Sequence, residues 1–138
     1  MPAKDIYHNV VKAGLIKDGW TITNDPLVLQ YGAKDFFVDL GAEKLLAAEK
    51  SGKKIAVEIK SFLSNSPMND LEKAVGQYIV YRDILEETES NRPLYLAVNH
   101  KAFKDVFSEP IGQLILKKNQ LKLLIFNSQT QEITQWIS

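Results

Sequence analysis

The stretch Lys53–Phe62, KKIAVEIKSF, decides the fold. Side chains alternate across a strand, so a strand here puts Ile55, Val57 and Ile59 on one face. Ala56, Glu58 and Lys60 then share the other. An otherwise apolar strand thus carries two opposite charges on one patch of sheet. One reading is a solvated face of an antiparallel strand with a weak surface ion pair. The other is a functional site, and the choice rests on what the neighbouring segments bring beside Glu58.

Immediately upstream, Ser51-Gly52 reads as a hairpin tip. The segment EKLLAAEKSGKK before it has a helix-favouring composition, but the hairpin and the clear strand after it predict strand over residues 36–48. Asp39 lies in that strand, nineteen residues before Glu58. A hairpin would bring the two carboxylates together on one face, where they repel unless a divalent cation joins them. Oxygen ligands alone suit Mg²⁺ (or Mn²⁺), which keeps several waters and takes one or two carboxylates plus a substrate phosphate. Asp39, Glu58 and the peptide carbonyl of Ile59 are the candidate ligands. Lys60 would hold a phosphate oxygen or orient an attacking water, which makes Asp39, Glu58 and Lys60 the candidate catalytic set.

Farther out, residues 3–18 place Tyr7, Val10, Val11, Gly14 and Leu15 at helical spacing, with Gly19 as C-terminal cap. Asp5, His8 and Lys12 fall on a different face of that helix. They are adequately explained as helix-surface polarity. Alternatively Asp5 and His8 complete the site from its opposite wall, Asp5 toward the metal and His8 toward the substrate. WTIT reads as a strand and NDP as a turn. LVLQYGAKDFFVDL reads as extended, with a break near Gly32. LSNSPMND is a loop, after which Asn69 or Asp70 caps a helix over 70–87. Its packed stripe is Leu71, Val75, Tyr78, Ile79, Arg82 and Leu85. Gln77 and Tyr81 are four apart and share a face. They are either a polar edge and a buried aromatic, or the lining of the cleft mouth, with Tyr81 toward the substrate backbone.

RPLYLAVN reads as a buried strand, residues 100–118 as a helix bent at Pro110, and QLKLLIFN and EITQWI as a hairpin around SQTQ. The order α-β-β-β-α-β-α-β-β describes a single domain, 1–138, of the α/β class. More closely, it is an α+β mixed sheet flanked by helices.

Composition narrows the chemistry. The chain has 138 residues, no cysteine and two histidines, so disulfides, thiolate catalysis and three-His zinc sites are excluded. Its 17 acidic and 17 basic residues cancel. A polyanion is therefore not drawn in by net charge, which favours a partner-assisted binder over an autonomous one. No apolar run approaches the ~18 residues of a membrane span, and the N-terminus does not read as a signal peptide. The expected location is the cytoplasm.

The ordered set of helix, Asp39, Glu58-Ile59-Lys60 and Gln77-x-x-x-Tyr81 resembles the PD-(D/E)XK nuclease superfamily, and so implies its restriction-endonuclease-like fold. The Gln-x-x-x-Tyr helix is similar to the RecB-like branch. Val38 stands where the superfamily motif has proline. Longer segments, AKDIYHNVVKAGLIKDGWTITNDP, VDLGAEKLLAAEKSGKKIAVEIKSF and EKAVGQYIVYRDIL, resemble the XisH family, the fdxN element excision controlling factor proteins of cyanobacteria. That resemblance implies a role in the developmentally controlled excision of a DNA element. It implies DNA and a small XisI-type protein as partners, and it allows a homo-oligomer. Two functions stay open: a metal-dependent nuclease, and a catalytically silent regulator that binds a partner or DNA without cutting.

Overall fold

A computed structural model describes residues 4–44 and 52–138. The chain runs α1 (His8–Lys17), β1 (Thr21–Asn24), β2 (Leu27–Tyr31), β3 (Lys34–Val38), β4 (Leu40–Lys44), β5 (Lys53–Ile59) and α2 (Pro67–Thr88). It continues through β6 (Leu94–Asn99), a short α3 (His100–Ala102), a π-helical segment (Phe103–Phe107), α4 (Pro110–Lys118), β7 (Leu123–Asn127) and β8 (Glu132–Ile137). The main sheet has the order β1-β4-β5-β6-β7-β8, and β2 pairs with β3 as a separate hairpin. β5, β6 and β7 are mutually parallel, and the outer pairs are antiparallel. Parallel neighbours need a crossover, and α2 and the α3–α4 segment supply the two.

The period-two reading of β5 holds. Ile55, Val57 and Ile59 are buried with Val11 and Leu15 of α1 on one side of the sheet. Ala56 is buried on the other with Leu71, Ala74, Tyr78 and Leu85 of α2. Strand β6 is buried at every position, as its continuous apolar run requires of a central parallel strand. The β2–β3 hairpin adds Leu27, Leu29 and Val38 to the α2 side. Gly19 takes φ +92° after α1, and its N–H meets Ile16 O at 3.0 Å, the predicted cap.

Some boundaries differ. Strand over 36–48 is interrupted: β3 ends at Val38, Asp39 forms a bend, and β4 starts at Leu40. Residues 45–48 and Ser51 of the expected hairpin tip lie outside the described residues. The β4–β5 pairing itself is antiparallel, from Leu40↔Val57 to Lys44↔Lys53. Helix α2 begins three residues early because Ser66 caps it, its Oγ accepting Asn69 N–H at 3.2 Å, with Pro67 in the first turn. The 100–118 helix is divided ahead of Pro110. Among the described residues, no helix is long and apolar enough to cross a membrane.

Candidate active site

Asp39 occupies the single residue between β3 and β4. Since Leu40 faces Val57 in the ladder, antiparallel register puts Asp39 next to Glu58. Two bonds cross there. Ile59 N–H donates to Asp39 Oδ2 at 2.7 Å, and Asp39 N–H donates to Glu58 Oε1 at 3.3 Å. Each carboxylate is thus oriented by the other's strand. Lys60 follows β5, its N–H bonded to Ala97 O of β6. Its Nζ lies 3.7 Å from Glu58 Oε2.

Burial sets the electrostatics. Glu58 is 5% exposed. Burial first, and then the charge of Asp39, push its carboxyl up to about 8, against the opposing pull of Lys60. Burial also raises Asp39, opposed by the Ile59 N–H. Tyr81 is raised by burial and then by the nearby charges of Glu58 and Asp39. Both shifts favour the protonated form of the pair, and a bound cation would relieve the same repulsion.

Asp39 and Glu58 would be the residues to hold a Mg²⁺ or Mn²⁺ ion, which takes oxygen donors. Among the described residues, no cluster of three or more His, Asp or Glu side chains gathers to hold a metal. Further coordination would fall to Ile59, to water and to substrate oxygens, the usual arrangement for Mg²⁺.

Around these groups opens a cleft of about 340 Å³. Asp39, Glu58, Ile59, Lys60, Gln77 and Tyr81 all line it. Gln77 is exposed, yet it faces this cleft. Asp5 lines the cleft wall, with Oδ1 accepting Tyr7 N–H at 2.9 Å. His8 does not line it. Its ring is 4% exposed, and Nε2 lies 2.7 Å from Asp25 Oδ1, while Lys12 Nζ holds Asp25 Oδ2 at 2.8 Å. The expected substrate contact from His8 is therefore replaced by a part-buried bond to the β1–β2 turn. His8, Val11 and Leu15 follow one another at i, i+3 and i+7, a stripe that places His8 inward. Burial alone would raise the carboxyl of Asp25, but Lys12 and His8 outweigh it and hold it below its ordinary value.

Four cleft residues escaped the sequence reading, two of them aromatic (Phe36 and Phe37) and two charged. Lys4 lines it from ahead of α1, and Asp35 from β3. Asp35, Phe37 and Asp39 alternate along one extended segment, so period two was the available signal for Asp35.

Comparison with known proteins agrees with this fold. The XisH protein family model matches residues 1–134. The crystal structure of an XisH family protein from Nostoc punctiforme PCC 73102 is 40% identical, with a TM-score of 0.88, covering 97% of this chain and 100% of that one. A fdxN element excision controlling factor protein from Anabaena variabilis is also 40% identical, with a TM-score of 0.87, covering 98% and 100%. Among curated proteins none matches the chain. With a family model spanning nearly all of its length and the same fold in two solved relatives, the chain belongs to the XisH family.

Proposed function

We propose that this protein acts in the control of DNA-element excision as a Mg²⁺-dependent nuclease of the PD-(D/E)XK type, on a restriction-endonuclease-like fold. The crossed bonds that lock Asp39 and Glu58 together beside Lys60 carry the reading. Asp39 and Glu58 would hold the ion, which supplies Lewis-acid activation of a phosphate and of a bound water. The Lys60 ammonium would offset charge developing on phosphate oxygens. Gln77 and Tyr81 on the α2 wall would orient the substrate backbone.

One observation favours a second reading, a regulator that grips DNA or a small XisI-type partner without cutting. The 17 acidic and 17 basic residues leave no net charge to recruit a polyanion. The test therefore compares the chain alone with the chain plus an XisI-type protein, on linear and branched DNA. Cleavage is expected with Mg²⁺ or Mn²⁺ and not with Ca²⁺, whose loose coordination positions water poorly. Lys60→Ala should lower the rate about 100-fold or more. If calorimetry shows Mn²⁺ bound but no combination cuts, the nuclease reading fails and the regulator stands.

A further inference from the structure

A second and larger cavity, about 500 Å³, opens beyond the carboxyl ends of the parallel strands β5, β6 and β7. Crevices outside such strand ends are the preferred ligand sites of parallel sheets. A narrower pocket of about 280 Å³ joins it to the Glu58 cleft. That pocket shares Asp5 and Lys60 with the cleft and Ser61–Leu63 with the cavity. Glu58 and Phe62 are four residues apart, at most ~14 Å of chain.

The walls have the chemistry of a nucleotide site. Tyr7 and Phe62 supply aromatic surface, and His100 and Lys101 supply basic groups. Lys101 forms no ion pair among the described residues. Asn99 is 8% exposed and lines the cavity. Its Oδ1 accepts Ala102 N–H at 2.7 Å, which fixes the amide orientation. Its Nδ2 donates to no acceptor among the described residues. That nitrogen is open to the cavity, so a donor held in a fixed direction stands at the wall where an acceptor on a ligand could meet it. The backbone is also unusual here. Phe62 takes φ +55°, an outlier for a bulky side chain, and its ring stands edge-on to Phe107 at 5.7 Å. The π-helical segment forms another part of the wall through Asp105 and Val106. Both kinds of distortion concentrate at ligand sites.

We infer that this cavity is a nucleotide subsite, holding an unpaired base of a strand whose phosphate lies at Asp39 and Glu58. This rests on the nuclease reading and gives it a substrate class. A base in the cavity has left its duplex stack, so the substrate carries single-stranded nucleotides beside the reacting phosphate. Tyr7 or Phe62 offers a stacking face, Asn99 bonds a base-edge acceptor, and Lys101 meets a backbone phosphate.

The test is fluorescence anisotropy in EDTA, with a labelled oligonucleotide of about 12 nucleotides and the same sequence as a blunt duplex. The single strand should bind more tightly than the duplex. Asn99→Asp keeps the bond to Ala102 N–H but replaces the donor with a negative charge. It should weaken single-strand binding about tenfold or more, with the native circular dichroism spectrum retained and Mn²⁺ affinity unchanged. Lys101→Ala should reduce the slope of log affinity against log salt by about 0.7. No single-strand binding, or binding unaltered by both substitutions, overturns the subsite. A wild-type protein that fails to bind Mn²⁺ overturns the nuclease reading instead, and the anisotropy then judges the cavity separately.

Discussion

Glu58 is where the proposed function and stability oppose each other. Its carboxyl, raised from 4.5 to about 8, binds a proton in the folded chain at pH values where the unfolded chain has released it. Unfolding free energy therefore falls as pH rises between these values. The stabilising contribution is complete below about 4.5 and is lost as pH climbs through 8. Asp39, also raised, acts in the same direction. Asp25, lowered from 3.8, acts oppositely, and its contribution disappears as pH falls below that value. The melting temperature should decline from pH 5 to pH 8 without metal, and Glu58→Gln should remove most of that decline. A flat wild-type profile would show that Glu58 is not held protonated. Mg²⁺ should raise the wild-type melting temperature at pH 8 and leave Glu58→Gln nearly unmoved, since the amide cannot supply the second carboxylate. At this scale the sequence was informative about pairs and silent about depth. Glu58, Lys60 and Asp39 were legible from alternation and a hairpin. His8 was placed on a polar face by its spacing from Asp5 and Lys12, although its spacing from Val11 and Leu15 marks it as inward.

Between residues and the whole, elements end where a cap or a close approach ends them. Ser66 and Pro67 form the start of α2 in a pattern the sequence displays openly. The polar run through Asn69 and Asp70 drew the expected boundary too far along the chain. Ser66→Ala should cost about 1 kcal/mol. The bend at Asp39 had no such signal, because one residue leaves no period to read, yet it is what turns the carboxylate onto Ile59 N–H. The π-helical segment was equally hidden. It lets α4 approach closely at Gly112, where an added Cβ would run into Val106 O and lie 2.6 Å from Phe107 Cα. These are backbone atoms with no rotamer to yield. Gly112→Ala should destabilise by about 3 kcal/mol, the upper end of overpacking costs. Urea denaturation would measure it, and a shift under ~0.5 kcal/mol would mean that α4 moves freely on the π-helical segment.

At the scale of the molecule, one sheet separates two hydrophobic clusters, one under α2 and the other under α1. The mixed sheet and its flanking helices were legible because β6 is apolar throughout and β5 alternates. The detachment of β2–β3 as a separate hairpin was not, since pairing partners are decided by tertiary packing. Tyr78 shows how the α2 side is tied to the sheet. Its hydroxyl donates to Leu94 O at 2.9 Å and accepts Lys122 N–H at 3.1 Å, joining α2 to β6 and to the entry of β7. Tyr78→Phe leaves that carbonyl and that N–H without their partner, at a cost of about 1–3 kcal/mol. The tryptophans give an independent view, because Trp20 and Trp136 pack with the α1-side cluster. Both clusters rest on the same strands, so they should unfold together. Tyr78→Phe should shift the urea midpoint equally by tryptophan fluorescence and by far-UV circular dichroism, with the denaturant slope unchanged. A tryptophan transition that stays in place while the circular dichroism moves would show that the two sides of the sheet unfold separately.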